Sequence, residues 1–321
     1  MGWTIAVIFG YHRDSMQLIV AINCSSKKTA VAAGNLCARN LRGSGVTQLA
    51  KEWWARVERS SVAPLPAREL YAGRAFAIAR KAAESAGAEL HVLSAGMGLI
   101  RQDKLVPPYN LSVAPDTDDC ILCRSSAGSF TSSQWWEALH DVQLHSRPLE
   151  RLLRGRPEAM LVLAATRPYI EMVEEELASL STPQLARIRI VGVGATQVGV
   201  LPQALRPLVM PYDGRLDDAD LGLQGTRFDF AARALSHFLG LVNGDGKIHS
   251  PLDHAKRVRL SLSRRKAPHR PQRERLDVDE LHRHVLALKE AGESKTGALV
   301  KLRSLGYACE QKRFYSVWEA P

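Results

Sequence analysis

The sequence predicts an α/β fold, with a mostly parallel sheet covered by helices on both faces. A small all-α module of helix-turn-helix type is expected to follow it. Three observations carry this expectation. Apolar runs of strand length recur at residues 5–9, 18–23, 90–94, 160–165 and 187–193. Segments of helical spacing, such as 67–86 and 168–180, lie between them. After residue 276 the chain changes to three short helical segments separated by tight turns. The expected organisation is an α/β domain over 1–250, a basic linker over 251–276 and a helix-turn-helix-like module over 277–321.

The first run, within Gly2-Trp-Thr-Ile-Ala-Val-Ile-Phe-Gly10, lacks a basic leader and a small-residue cleavage site. It is read as a strand and not as a signal peptide, which makes the cytoplasm the expected location. Five cysteines, Cys24, Cys37, Cys120, Cys123 and Cys309, are too few and odd in number for a disulfide framework. Cys120 and Cys123 have the spacing of half a zinc knuckle, but no second pair completes four ligands. The expectation is no metal. No apolar run reaches the length needed to cross a bilayer.

The second strand empties into Cys24-Ser25-Ser26-Lys27-Lys28-Thr29. Residues 34–45 and 120–133 read as loops. The helical stretch at 67–86 begins around Glu69-Leu70-Tyr71-Ala72-Gly73-Arg74. The strand at 90–94 then opens into the most informative segment, Ser94-Ala95-Gly96-Met97-Gly98, followed by Arg101 and by Pro107-Pro108-Tyr109-Asn110-Leu111. A buried strand running into a glycine-rich loop, then into a rigid turn bearing a ring and an amide, is where ligand sites form in open α/β sheets. Thr166 before Pro168 starts the next helix. Tyr212-Asp213-Gly214-Arg215 brings a ring, an acid and a base into one turn, and a helix covers 230–239.

Leu93, Ser94, Gly98, Arg101, Pro108, Tyr109 and Leu111 resemble the Leu-Ser-x-x-x-Gly, Arg and Pro-Tyr-x-Leu pattern of the YaaA family of bacterial DNA-binding proteins. The Cys24–Thr29 loop and the Glu69–Gly73 segment fall in that family's order as well. Ser25-Ser26 stands where those relatives have Pro-Ala, and Met97 where an aromatic residue is usual. The resemblance covers the first third of the chain closely and implies a YaaA-like α/β domain that binds double-stranded DNA. That architecture is similar at the level of fold to uracil-DNA glycosylases, whose catalytic loops crown the same sheet edge.

The formal charge is +10, and residues 256–275 hold nine basic side chains against the single acid Glu274. Such a block supplies salt-dependent affinity for nucleic acid. Arg264, Arg265 and Lys266 within it are the expected phosphate contacts. In the last helical segment Gln311, Lys312 and Arg313 are the expected groove contacts, with Phe314, Val317 and Trp318 facing inward.

Gly192-Val193-Gly194 misses the dinucleotide fingerprint, which removes nicotinamide and flavin from consideration. No Walker loop and no Ser-His-Asp signature is present, and Asp116-Thr117-Asp118-Asp119 reads as a solvated loop and not as a metal cluster. Base excision asks for other parts: rings to stack an extruded base, amides to read it, an acid to assist bond cleavage and donors for anions. Glu69, Asp213 and Asn110 are the expected catalytic residues. Ser25, Lys27, Tyr71, Arg74, Ser94, Gly96, Gly98, Arg101, Tyr109 and Tyr212 are expected to bind substrate. Lys27 or Lys28 can bind phosphate or form an imine with the exposed sugar. A glycine-lined pocket at 96–98 would suit a bulky base such as glucosylated hydroxymethylcytosine. The alternative expectation is a non-catalytic protein that grips bent or damaged DNA.

Overall fold

The computed structural model describes residues 16–115, 117–268 and 273–320. The expected strand at 5–9 and Asp116 of the acidic loop therefore lie outside the described residues. The chain divides into two compact units, the first ending at Ala267 and the second starting at Pro268.

The first unit is built on β1 (Gln17–Asn23), α1 (Val46–Glu58), β2 (Leu65–Pro66), α2 (Ala67–Leu70), α3 (Arg74–Ser85), β3 (Glu89–Ser94), β4 (Gly98–Arg101) and β5 (Leu105–Val106). It continues through α4 (Ser132–Val142), α5 (Pro148–Gly155), β6 (Ala159–Ala164), α6 (Arg167–Ala178), α7 (Thr182–Leu185), β7 (Ile188–Val191), α8 (Phe230–Val242) and α9 (Pro251–Leu262). The main sheet has the order β4-β3-β1-β6-β7. Its β3-β1-β6-β7 pairings are parallel, and β4 returns antiparallel on β3. In β1 every residue from Leu18 to Ile22 is buried, as both faces of a helix-covered parallel strand must be. Helix α3 packs on α8, while α1 and α6 pack on α4. The α/β class expected from the alternation of apolar runs and helical segments is the one observed.

The connection leaving β1 runs to β3 on one side, and the connection leaving β6 runs to β7 on the other. The carboxyl ends of β1 and β6 thus form the topological switch point of the sheet, the usual place for a ligand crevice. Side chains stitch this point together. Asn23 Oδ1 accepts from the Thr166 amide at 3.2 Å, and the Cys24 thiol lies 3.2 Å from the Tyr169 hydroxyl.

Several local expectations need correction. The helical stretch at 67–86 is two helices, because Tyr71 is extended and Gly73 takes φ +101° between them. Thr166 occupies the N-cap of α6 without a side-chain hydrogen bond. Residues 251–262, expected as linker, form α9, whose Ala255, Val258 and Leu262 are buried. Ser250 caps α9 through the Asp253 amide, and Pro251 sits in its first turn, so the helix start is well specified.

The second unit contains β8 (Glu274–Arg275), α10 (Val278–Glu290), α11 (Lys295–Ser304), β9 (Tyr307–Ala308) and α12 (Gln311–Glu319). Leu281, Val285, Leu288, Leu299, Leu302 and Phe314 form its core. The unit is not purely helical, since β8 and β9 pair in parallel. Val278 and Leu305, which have the apolar spacing of their helices, are nevertheless exposed. Ser294 caps α11 through the Gly297 amide, and Gly306 ends it at φ +94°. Among the described residues no helix is long and apolar enough to cross a membrane.

Candidate functional site

Three loops are laced together at the carboxyl edge of the sheet. The segment after β1 pairs with the end of α2: Thr29 donates its amide to Leu70 O at 3.0 Å, and Ala72 donates to Lys27 O at 3.0 Å. Ser25 Oγ accepts from the Lys27 amide at 3.0 Å, tightening the turn. The Asn110 backbone lies against residues 36–38, its amide donating to Leu36 O and its carbonyl accepting from Ala38, each at 2.8 Å.

Under these loops runs a buried chain of hydroxyls. Ser94 Oγ is 2.5 Å from the Tyr109 hydroxyl, which is 2.8 Å from the Tyr71 hydroxyl. Ser94 Oγ also accepts from the Met97 amide at 2.9 Å and the Gly96 amide at 3.2 Å. The Tyr71 and Tyr109 rings meet edge to face at 6.5 Å, and Trp53 packs on Tyr109 at 5.8 Å. Trp53 Nε1 donates to Gly96 O, and Trp135 Nε1 donates to Ala95 O, each at 2.7 Å. The glycine-rich loop is therefore pinned from below by two indoles.

Lys28 is the cation of this assembly. Its Nζ lies 4.5 Å from the Tyr109 ring centroid and 5.8 Å from that of Tyr71, and donates to Ser25 O at 3.3 Å. Burial pushes its pKa below the usual lysine value, against the opposing pull of Cys24, Asp119 and Cys37. Burial likewise raises the phenol pKa values of Tyr71, Tyr109 and Tyr169, so all three remain neutral hydroxyls at pH 7. Asp119 is committed to Arg39, which meets both of its carboxylate oxygens.

The structure brings Ser25, Lys27, Tyr71, Ser94, Gly96, Gly98, Tyr109 and Asn110 to this edge, but not in the arrangement expected. Tyr71 and Tyr109 are buried and engaged with their neighbours, so neither offers a face for a stacked base. Ser94 is fully buried and spent on Tyr109. Gly96 and Gly98 do not line a broad cavity. A Cβ on Gly96 would come within 2.5 Å of the Tyr109 ring, and one on Gly98 within 2.5 Å of His140. These glycines are required by close packing, not by a ligand. Asn110 is half-buried and holds the loop by its backbone, with Nδ2 3.7 Å from Cys37 Sγ. Ser25 and Lys27 lie at the surface of the same edge.

The remaining expected side chains stand apart from the hydroxyl chain. Arg101 ends the antiparallel β4, opposite His91, which sets it back from the carboxyl edge marked by the Ser94–Gly98 pair. It pairs there with Asp103 and Glu89. Arg74 is tied to Asp229 at 3.2 Å and to Gln224 O at 2.6 Å. Tyr212 is buried against His237, to which its hydroxyl bonds at 2.9 Å. Glu69 is exposed, with Arg68 as its ion partner, and Asp213 is clasped by Arg215, whose hydrogen bonds lower its pKa. Neither acid joins the hydroxyl chain.

Of the expected nucleic-acid contacts, Arg264 and Lys266 are exposed, whereas Arg265 pairs with Asp220 at 3.1 Å. Gln311 and Lys312 are exposed on α12. Arg313 is not available in the same way, since both terminal nitrogens donate to Leu276 O at 3.1 Å.

Sequence reasoning gave no site role to Cys24, Trp53 or Tyr169. The position of Cys24 directly after a strand was the available signal; the two rings become part of the site only through long-range packing. Residues 55–121 match the model of a family of unknown function (DUF6884), a stretch that holds Tyr71, Ser94, Tyr109, Asn110 and Asp119. No curated protein matches the chain.

Proposed function

We propose that the protein is a cytoplasmic DNA glycosylase that extrudes a modified nucleotide from double-stranded DNA and releases its base without a metal or nucleotide cofactor. One observation carries the reading: a lysine amine and a hydrogen-bonded hydroxyl chain are gathered at the carboxyl ends of β1 and β3 in a parallel sheet. A buried polar network of this kind is costly to maintain for packing alone. Ser25, Lys27 and Asn110 at the rim are the groups available to an incoming sugar and phosphate. Exposed Lys256, Arg259, Arg264 and Lys266 supply cations in the same unit for the DNA backbone. The second unit, with exposed Gln311 and Lys312, is proposed as a further DNA reader of helix-turn-helix type.

The extruded base is held at the rim of the loops, above the tyrosines and not between them. Incubating the purified protein with glucosylated and unmodified phage DNA, then scoring abasic sites with an aldehyde-reactive probe, tests the reading. Release from the glucosylated DNA supports it; silence on both substrates, or release from unmodified DNA alone, overturns it. The closed packing of Tyr71 and Tyr109 favours a second reading, in which the edge grips DNA without cutting any bond. That protein would retain salt-dependent affinity and yield no abasic sites on any DNA.

A further inference from the structure

We propose that Lys28 is an amine nucleophile that forms an imine with the C1′ aldehyde of an abasic deoxyribose, a role that rests on the glycosylase reading and extends it. Sequence alone leaves Lys27 and Lys28 equivalent. The structure separates them. Lys27 is exposed, whereas the Lys28 amine is drawn over the rings of Tyr109 and Tyr71.

A lysine becomes a nucleophile when its surroundings disfavour the ammonium form, because only the neutral amine has a lone pair to give. The surroundings of Lys28 are of that kind. Its one hydrogen bond among the described residues is to a carbonyl, Ser25 O, at 3.3 Å. No carboxylate is within ion-pairing distance of it among the described residues, and Asp119, the one carboxylate whose charge acts on it, is bound to Arg39. The titratable groups facing it are Cys24, Cys37, Tyr71, Tyr109 and Asp119. The tyrosines remain neutral, and burial is the dominant influence on the amine.

The chemistry balances without an added reagent. Base release leaves a deoxyribose whose ring-opened form carries an aldehyde at C1′. The Lys28 Nζ lone pair forms the N–C1′ bond, and the carbonyl oxygen takes up a proton to give a carbinolamine. Loss of that oxygen as water, with both hydrogens originating on the amine, forms the C=N bond, and the imine nitrogen then takes a proton from water to become an iminium. The iminium then acidifies C2′. Loss of a C2′ proton to water forms the C2′–C3′ double bond, and the C3′–O bond breaks with its electron pair leaving on the phosphate. The consequence is a strand nick on the 3′ side of the abasic site.

The test uses the full-length protein and a duplex carrying a preformed abasic site, so that it does not depend on base release. Borohydride reduces an imine to a stable secondary amine by delivering hydride to C1′. The expected result is a covalent protein–DNA adduct that maps by mass spectrometry to Lys28, accompanied by nicking in the absence of borohydride. Lys28→Arg keeps the charge but cannot form the imine, and adduct and nicking should both be lost. Lys51→Arg, on the outer surface of α1, should retain both. A circular-dichroism melt of Lys28→Arg establishes that the loss is not unfolding. The trapping rate should also hold up at lower pH than for a solvent-exposed lysine peptide. An adduct on another residue, or no adduct from a folded wild-type protein, overturns the assignment. Base release from modified DNA without trapping would sink Lys28 and leave the glycosylase standing; trapping without base release would do the reverse.

Discussion

Two basic side chains of the first unit, Arg233 fully buried and Lys28 half-buried, are treated in opposite ways. Arg233 is saturated. It meets Asp229 and Asp217 at 2.7 Å each, and its remaining donors reach Leu223 O and Thr226 O. Lys28 has one long hydrogen bond to a carbonyl and two ring faces. A guanidinium locked between carboxylates is a fixed strut, because its charge and all its geometry are consumed. An amine with spare donors and a pKa lowered by burial is poorly used as a strut and better suited to chemistry. Burial by itself does not mark a functional group; burial without matching partners does.

The sharpest way to break this contrast is to remove each cation in turn. Arg233→Met removes the cation that two buried carboxylates share and should lower unfolding stability by about 3–5 kcal/mol. Lys28→Met removes a desolvated amine that no carboxylate depends on, and should change stability by less than about 1 kcal/mol. Urea denaturation followed by tryptophan fluorescence would measure both. Comparable losses from the two substitutions would remove the distinction drawn here.

Acid should act through a second pair of buried groups. Burial holds His140 and His254 near a pKa of about 4, so both are neutral in the folded protein at pH 7. An unfolded histidine titrates near its ordinary value, so between roughly pH 6.5 and 4 the unfolded chain binds more protons than the folded one. Stability is therefore full above that window and falls as the pH drops through it, by up to roughly 3 kcal/mol per histidine. Urea midpoints measured from pH 7 to pH 4 should fall steadily. His254→Asn should flatten part of the slope if Arg189, which donates to its Nδ1 at 2.7 Å, finds the amide oxygen instead.

The sheet was legible in the sequence because strands of a covered parallel sheet are apolar throughout, and that pattern does not depend on what each strand pairs with. The runs at 18–23, 90–94 and 160–165 correspond to β1, β3 and β6 within a residue at either end. The site was legible only in its address. Chemical type pointed to Glu69 and Asp213 as acids and to three tyrosines as stacking faces, but type carries no orientation. What turned Tyr109 inward is the close approach of Gly96, whose missing side chain lets the loop settle on the ring while Trp53 holds its carbonyl. Those contacts join residues far apart in sequence, and no local pattern reports them. The Arg233 knot is legible only in its i,i+4 pair with Asp229, because Asp217 and Leu223 O reach the guanidinium only after the chain has folded.

The hydroxyl chain itself can be probed by a smaller change. Tyr109→Phe keeps the ring against Trp53 and Lys28 but removes the oxygen joining Ser94 to Tyr71. With both neighbours left in a dry environment, the cost should be roughly 1–3 kcal/mol in urea unfolding. A neutral result would mean that these hydroxyls already find other partners.

The smallest stability effect belongs to the second unit, where the same side-chain types face solvent. Gln311 and Lys312 are exposed on α12, while neighbouring Arg313 is held on Leu276 O. Replacing Gln311 and Lys312 together by alanine should alter unfolding stability by no more than about 0.5 kcal/mol. If this helix touches a phosphate backbone, losing one cation should reduce the slope of log affinity against log salt by roughly 1. Arg313→Ala should instead lower stability by releasing a buried carbonyl, whether or not DNA is present. Fluorescence anisotropy with a short duplex at several salt concentrations separates the two outcomes. An unchanged salt slope after loss of Lys312 would mean that α12 stays clear of the DNA backbone.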